Sequence, residues 1–370
     1  HVICFSNIYM DNPDGETEGI QYYNPFGRRT RSRYFLVRRW QKLVKYRRTY
    51  SIIRKINKTD KVMAINRWSD TFTTQLFAWL LARRFGTKII TECNEHPFRF
   101  HTGGGLNRWL GRVRFFWDTR LSDGILCISK YLVNLHLEKG IPAKKLFHIP
   151  STVDPSRFAV NGEKPFPYPY AGYFGSLTFY RDNVDLLIRA FARFSPQHPE
   201  VRLVLGGFCR EDERKNMMGL IDQLAVRDKV QVIDYLTRQE ITRYITHADV
   251  LVMTRARDME SDASYPSKLS EFLATGKPVI SVNVGEIADF LTDQENAYLV
   301  EPGNVEGMTE KLQFVFDNYD AASRAGLKGR ELTSGVFNYS YQVGRMISFI
   351  QSLYNKREDM TLRGQASRVG

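Results

Sequence analysis

The sequence predicts an α/β fold of two doubly wound, Rossmann-like domains that face each other across a cleft. Apolar, β-rich runs alternate with helix-length segments along the 370 residues, which is typical of βαβ units and parallel sheets. A stretch rich in Pro and turn residues, 154–170, separates the two halves. A chain of this length is also sufficient for two domains of ordinary size.

The second half shows the clearer alternation. Strands are predicted at 170–177, 201–207, 230–236, 249–255, 277–283 and 297–303, with helices at 184–194, 212–226 and 238–246. In sheets of this kind, ligands bind beyond the carboxyl ends of the strands. We therefore expect a binding site at one edge of the second sheet.

The first half repeats the pattern more loosely. Its strand candidates are HVICFS, GIQYYNP, KVMAINR, TKIITECN and GILCIS, and its helix candidates are 33–56 and 72–85. The chain opens without Met on a strand-like run, so we expect that the first domain is truncated at its start. The predicted domains are 1–160, 161–340, and a C-terminal helix and tail at 341–370 that packs back on the first domain. The final TLRGQASRVG is predicted to be disordered.

Composition favours a globular protein, with 43% hydrophobic and 25% charged residues. The longest apolar run, LFAWLLA at 76–82, is too short to span a membrane. The four cysteines have no CxxC spacing, which indicates reduced thiols and neither disulfides nor a zinc site. No signal peptide is visible, so a cytoplasmic location is expected.

Basic charge is concentrated in the first half. Residues 1–160 hold 28 Lys and Arg against 12 Asp and Glu, a net charge of +16, whereas the remainder holds 25 against 28, a net charge of −3. The segment 27–48 has ten Lys and Arg and no acid. It predicts an amphipathic helix on the inner face of an anionic membrane, through a surface of Arg38, Arg39, Trp40 and Lys42. The alternative is a helix whose apolar stripe packs on the sheet. A nucleic-acid partner is not expected, because no RNA or DNA module is recognisable.

The stretch YPSKLSEFLATGKPVI at 265–280 predicts a short helix between two loops. Pro266 suits a helix start, Gly276 ends the helix, and Pro278 prevents its resumption. Free N–H groups at a helix start attract phosphate, and Ser267 and Lys268 lie there. The alternative is an ordinary strand–helix–strand unit with a solvated lysine.

Residues 170–320 resemble the retaining glycosyltransferases of family 4, which have the two-domain GT-B fold. The resemblance is carried by YFGSLTFYRDNVDLLIRAF, HADVLVMTR, YPSKLSEFLATGKPVI and NAYLVEPGNVEGMTEKL. The third of these is similar to a family signature with two glutamates eight positions apart, in a variant subgroup that carries Pro-Ser-Lys. The first half matches only generally, as expected for an acceptor-binding domain.

The resemblance implies roles for several residues of the second half. Glu271 corresponds to the second signature glutamate, which accepts hydrogen bonds from the donor's ribose. The first falls on Ala263, so that Glu260, Asp262 or neither replaces it. Arg181 falls where the family binds the donor pyrophosphate, and a cation there would stabilise the leaving diphosphate.

Other candidate residues surround these positions. Gly175 and Ser176 would let the backbone approach the donor phosphates. In TECNEHPFRF at 91–100, Glu95 and His96 follow an apolar strand, and either could orient or deprotonate the acceptor hydroxyl. Since no further residues with the spacing of metal ligands surround His96 and no Asp-x-Asp motif is present, we expect metal-independent catalysis without a cofactor.

The expected function is transfer of a sugar from a nucleotide-diphosphate sugar to a saccharide or lipid-linked acceptor, with retention of anomeric configuration, in cell-surface polysaccharide biosynthesis. Retention in this fold implies front-face attack assisted by the donor's own phosphate. The alternatives are a non-catalytic GT-B scaffold or partner subunit, and a nucleotide-sugar epimerase of the same fold.

Overall fold

The computed structural model describes residues 1–5, 13–68, 71–98, 105–159 and 162–355. The tail predicted to be disordered lies outside the described residues. The chain divides into two compact units, one of residues 1–92 with 112–125 and one of residues 93–111 with 126–370. The domain limits 1–160, 161–340 and 341–370 stay predictions.

The N-terminal elements include every strand and helix predicted there. In chain order they are β1 (Val2–Ile3), β2 (Gly15–Thr17), β3 (Ile20–Tyr23), α1 (Phe35–Thr59), β4 (Ala64–Arg67), α2 (Phe72–Phe85), β5 (Lys88–Cys93), α3 (Gly105–Leu121), β6 (Gly124–Cys127), α4 (Lys130–Glu138) and β7 (Leu146–His148). The first three strands form a small sheet in the order β1-β3-β2, and β4 to β7 form a second in sequence order. β4 and β5 are parallel, as a βαβ connection through α2 requires.

Helix α1 buries a face other than its apolar stripe of Leu36, Trp40 and Leu43. Its buried residues are Lys45, Thr49 and Ile53, which lie one turn apart. The apolar stripe of the sequence is instead exposed, with Leu36 77%, Leu43 67% and Trp40 58% accessible. The alternative in which this stripe packs on a sheet is therefore wrong.

The C-terminal elements also match the predicted alternation. They are β8 (Tyr170–Phe174), α5 (Val184–Phe194), β9 (Arg202–Gly206), α6 (Glu211–Gln223), β10 (Val230–Ile233), α7 (Arg238–His247), β11 (Val250–Met253), α8 (Met259–Ala263), α9 (Ser267–Ala274), β12 (Val279–Val282), β13 (Tyr298–Val300), α10 (Val305–Asp317), α11 (Tyr319–Glu331) and α12 (Tyr339–Ser352). Among them α8 and α11 were not predicted, nor were α3 and α4 earlier in the chain.

The six C-terminal strands form one parallel sheet in the order β10-β9-β8-β11-β12-β13. The chain runs from β8 towards one edge and then returns beside β8 to build the other half. This is the doubly wound order, and the reversal between β8 and β11 is its switch point. All residues of β8, β11 and β12 are buried, as expected for a sheet covered by helices on both faces.

Helix α5 shows how the sequence builds this sandwich. Val184, Leu187, Ile188, Phe191 and Phe194 recur at helical spacing and are all fully buried. Such a stripe places one face of the helix against the sheet. The sheet thereby has a continuous apolar core, and its strand ends are held in fixed positions.

Helix α12 packs on the neighbouring strand β7. The ring of Phe349 stacks on Phe147 with centroids 5.0 Å apart, and the guanidinium of Arg345 lies 5.0 Å from the same ring. Within the part of the chain that the structure describes, no helix combines the length and the apolar character that crossing a bilayer requires.

Candidate active site

The loop after β8 is tied to the loop after β11 at the switch point of the sheet. The Thr254 hydroxyl donates to the carbonyl oxygen of Asp182 at 2.6 Å, and the Ala256 N–H donates to that of Arg181 at 3.0 Å. Both loops leave the carboxyl ends of adjacent parallel strands, where ligands bind in such folds. These bonds hold the backbone of Arg181 in place beside the loop after β11.

The side chain of Lys268 lies directly over Gly175. Its Nζ donates to the Tyr173 hydroxyl at 2.6 Å and to Asp182 Oδ1 at 3.5 Å. Gly175 has φ +156°, and a Cβ atom placed there would lie 2.6 Å from the lysine Nζ. The backbone conformation therefore favours glycine at 175, and a side chain there would force the end of Lys268 to move.

Three cations gather at this point. Arg255 donates to the hydroxyls of Ser261 and Ser264 at 3.0 and 2.7 Å, and burial lowers its pKa, with the charge of Arg181 adding to the effect. Burial lowers the pKa of Lys268 to about 8, the carboxylate of Asp182 opposes that shift, and both arginines reinforce it. Both arginines thus act on Lys268, and the hydrogen bond from the Ala256 N–H to the Arg181 carbonyl oxygen holds together the loops that carry them.

Position 263, where the resemblance places the first signature glutamate, is buried. Ala263 is fully buried, and its carbonyl oxygen accepts a hydrogen bond of 2.6 Å from the Ser129 hydroxyl. Glu260, on the same short helix α8, has a carboxylate oxygen 3.9 Å from the guanidinium of Arg181. Of the acidic candidates in the sequence, Glu260 is therefore the one with a contact to a predicted donor-binding residue.

Helix α9 begins as the sequence predicts. Pro266 is its N-cap residue and has no side-chain capping bond, which leaves the first N–H groups for other acceptors. Ser267 is exposed, and its carbonyl oxygen accepts from the Ser270 hydroxyl at 2.9 Å. The carbonyl oxygen of Ser176 accepts from the Tyr173 hydroxyl at 3.0 Å.

Glu271 lies one turn beyond Lys268 and faces a different cation. Its carboxylate is 3.9 Å from the guanidinium of Arg157. Burial raises the pKa of Glu271, while Arg157 and Arg238 act in the opposite direction. The carboxylate of Glu271 offers oxygen atoms that can accept hydrogen bonds from hydroxyl groups.

His96 is buried beside α4. Its Nδ1 accepts a hydrogen bond from the Phe98 N–H at 3.2 Å, and its ring lies 5.9 Å from that of Tyr131. Burial lowers the pKa of His96. With Nδ1 accepting, the proton of the neutral ring is on Nε2, so His96 presents a hydrogen-bond donor. Glu95 is half-buried, and its carbonyl oxygen accepts from the Cys93 thiol at 3.6 Å.

The basic residues predicted to face a membrane do not all project outward. Arg39, Trp40 and Lys42 are exposed, whereas Arg38 is half-buried and donates to the carbonyl oxygens of Ser32 and Arg33 at 3.0 and 2.9 Å. Of the four residues predicted to face a membrane, three therefore have exposed side chains that could contact it.

Three residues of the site were absent from the sequence prediction: Tyr173, Asp182 and Arg255. Two of them carried a signal, because Arg255 follows β11 and Tyr173 lies near the carboxyl end of β8. The rule that ligands bind at carboxyl strand ends would have identified both. Among the residues the structure describes, no group of three or more His, Cys, Asp or Glu could hold a metal ion.

The chain is similar to several known glycosyltransferases. Residues 160–332 match the family model of glycosyl transferases group 1. An uncharacterized glycosyltransferase of Methanocaldococcus jannaschii is 22% identical over 252 residues, 67% of this chain and 64% of the relative. One component of the phosphatidylinositol N-acetylglucosaminyltransferase of Arabidopsis thaliana is 21% identical over 69% of this chain and 54% of its own. The chain thus matches only about 54 to 64% of the length of these two relatives.

Among solved structures, HepE of Anabaena, crystallised with UDP and also with UDP-glucose, is similar. The UDP complex has a TM-score of 0.66 at 14% identity and covers 83% of this chain and 82% of its own. This likeness shows the fold, which is the α/β fold of the GT-B class with Rossmann-like domains. The sequence matches support a glycosyltransferase.

Proposed function

We propose that this chain is a retaining, metal-independent glycosyltransferase of family 4, in the Pro-Ser-Lys subgroup. It moves a sugar from a nucleotide-diphosphate sugar to a saccharide or lipid-linked acceptor, in cell-surface polysaccharide biosynthesis. The observation that carries this proposal is that Lys268 lies over Gly175 at the switch point of a parallel sheet, beside the hydrogen-bonded loops that carry Arg181 and Arg255.

A diphosphate is the ligand that suits this arrangement. Lys268 and Arg181 provide cationic hydrogen-bond donors, Gly175 allows close approach of the backbone, and the start of α9 offers free N–H groups. Breaking the glycosidic bond leaves additional negative charge on the diphosphate, and cations held in place stabilise that charge. Because the side chains themselves supply this positive charge, the proposed reaction needs no metal ion.

The base of the donor is open to experiment, and UDP is the first probe to use. HepE was crystallised with UDP and UDP-glucose, which supports a nucleotide-sugar donor for this chain. In our proposal the carboxylate of Glu271 accepts hydrogen bonds from the ribose hydroxyls. The Nε2–H of His96 donates to a sugar hydroxyl, so that His96 orients the substrate and does not remove a proton.

Helix α1 supports an acceptor at a membrane surface. Its exposed apolar residues Leu36, Trp40 and Leu43 are flanked by the exposed cations Arg39 and Lys42. Apolar side chains beside cations suit the interface of an anionic bilayer. The plant relative is named for transfer to phosphatidylinositol, and we propose that this chain likewise works at a membrane, on an acceptor carried by a lipid.

The direct test is a transfer assay with UDP-, GDP- and ADP-sugars, with and without saccharide and lipid-linked acceptors. The proposal predicts transfer from one of these donors. By NMR, the anomeric proton of the transferred sugar should have the same orientation, axial or equatorial, in the product as in the donor. Release of the epimer without an acceptor would indicate an epimerase. Absence of binding to every nucleotide in a thermal-shift screen would favour a non-catalytic scaffold.

A further inference from the structure

The pairing of Lys268 with Asp182 presents a difficulty for a diphosphate site. Their atoms Nζ and Oδ1 are 3.5 Å apart, and both side chains are largely buried, 21% and 13% exposed. A carboxylate repels phosphate, so its presence beside the central lysine of such a site calls for a physical reason.

Asp182 is itself held in a fixed orientation. Its Oδ2 accepts a hydrogen bond of 2.7 Å from the Thr178 hydroxyl, and its N–H donates back to that hydroxyl at 3.3 Å. Its carbonyl oxygen accepts from the Thr254 hydroxyl. These bonds direct the other carboxylate oxygen, Oδ1, towards Lys268.

Two of the other groups that face Lys268 disfavour its positive charge. Arg181 and Arg255 are like charges, and the Tyr173 hydroxyl accepts from Nζ at 2.6 Å but carries no charge. Burial acts in the same direction as the arginines. Asp182 is the anion that favours the charge of Lys268, so its loss would leave a buried ammonium beside two guanidinium groups.

We propose that Asp182 is a positioning residue, which keeps Lys268 charged and extended over Gly175 so that the ammonium can contact the donor's diphosphate. This inference rests on the proposed function, because it gives Asp182 a role in donor binding. When the diphosphate arrives, it takes over part of the charge compensation that Asp182 provides in the free protein. The burial of Lys268, which lowers its pKa to about 8, makes this dependence on Asp182 measurable near neutral pH.

The test compares Asp182→Asn with the wild-type chain in UDP affinity from pH 6.5 to 9.5, by calorimetry. The ratio of the two dissociation constants at each pH cancels the ionisation of UDP itself. At pH 6.5, where Lys268 is protonated in both chains, we expect affinities within threefold. At pH 9.5 we expect the variant to bind about tenfold more weakly or worse, which is the ratio that a fall of one pH unit in the Lys268 midpoint produces. A ratio that does not change with pH would overturn the proposal.

Two further variants separate position from charge. Asp185→Asn removes the same charge from a neighbouring residue that lies 3.9 Å from Arg189, and it should leave the ratio near one at every pH. Asp182→Glu keeps the carboxylate. The pH at which half of Lys268 is deprotonated should therefore stay within half a pH unit of the wild-type value. If Asp185→Asn reproduces the effect of Asp182→Asn, the role belongs to net charge and the proposal fails.

A nucleotide-free measurement distinguishes this proposal from the proposed function. The midpoint of the Lys268 side-chain resonance, assigned with Lys268→Met in a lysine-labelled chain, should fall by at least one pH unit in Asp182→Asn. An unchanged midpoint overturns the coupling, whatever binds. If the midpoint falls but the wild-type chain binds no UDP, GDP or ADP, the proposed function is contradicted, and with it the role of Asp182 towards a diphosphate.

Discussion

The Ser129 hydroxyl donates a hydrogen bond of 2.6 Å to the carbonyl oxygen of Ala263, whose methyl group is completely buried. The position at which the resemblance places a signature glutamate is thus part of the packed interior. A longer side chain at 263 has no room, and the acidic residue in contact with Arg181 is Glu260.

Restoring the signature glutamate should therefore damage the protein. We expect Ala263→Glu to lower the free energy of unfolding by about 3 kcal/mol, because it forces a carboxylate into a filled apolar space. Urea denaturation measures this, and Ala263→Gly, which costs only about 1 kcal/mol in a helix, is the size control. A stable Ala263→Glu protein with increased turnover would show that the site accommodates the glutamate after all.

The site cations should matter for turnover more than for stability. We expect Arg181→Met and Lys268→Met each to lower kcat by about 100-fold, the scale on which loss of one transition-state charge partner acts. Arg181 is half-exposed, so its replacement should change unfolding by no more than about 0.5 kcal/mol. Steady-state kinetics with the donor identified by screening provide the measurement.

The matched control for these cations is Arg189→Met. Arg189 is also half-exposed and pairs with Asp185 on the outside of α5. It should retain wild-type kcat. Equal kinetics in all three variants would show that the cation cluster is not the donor site.

His96 should be neutral throughout the neutral pH range. Burial lowers its pKa below the ordinary value of 6.5, and its Nδ1 accepts from the Phe98 N–H, so the proton should be on Nε2. Nitrogen-15 NMR of the ring reports both the titration and the tautomer. A pKa above 6.5, or a proton on Nδ1, would restore the interpretation of His96 as the base.

The same burial has a consequence for stability. Because the folded-state pKa of His96 is depressed, the unfolded chain binds a proton more readily, and the contribution of His96 to stability is lost as pH falls below about 6.5. His96→Gln should therefore show a smaller loss of stability between pH 7 and pH 5 than the wild-type chain.

Binding to anionic membranes should depend on the exposed face of α1. We expect Arg39→Glu with Lys42→Glu to reduce sedimentation with anionic liposomes by at least tenfold, since each basic residue near such a surface contributes about 1 kcal/mol. Trp40→Ser should reduce it as well, through loss of apolar contact. Arg54→Glu with Lys55→Glu makes the same charge change at the other end of α1 and should reduce binding less. Equal binding of the wild-type chain to neutral and anionic vesicles would remove the membrane proposal.

The sequence predicted the elements with strong periodicity and missed those without it. Helix α5 has five buried residues at helical spacing, and its bounds, 184–194, agree with the prediction. Helix α8 has only five residues, MESDA, whose polar character gives no period. Helix α4 has a start signal in the sequence, because Ser129 is its N-cap residue and the serine side chain accepts from the Leu132 N–H.

The roles given to the candidate site residues stay predictions. Strand order places the ends of β8 and β11 side by side, and Arg181 acts electrostatically on Lys268. The spacing of residues along the chain does not determine the order of strands in a sheet. The approach of Asp182 to Lys268 therefore could not be predicted. The exposure of Trp40 depended on which face of α1 the fold buries, and periodicity alone did not decide between an exposed apolar stripe and one packed on a sheet.

A crystal structure with UDP tests the central claim most directly. The account predicts a diphosphate with an oxygen within hydrogen-bond distance of Lys268 Nζ, another facing the guanidinium of Arg181, and the ribose hydroxyls at Glu271. A nucleotide bound elsewhere, with Lys268 still paired to Asp182 and Tyr173 and no phosphate near it, would contradict the account.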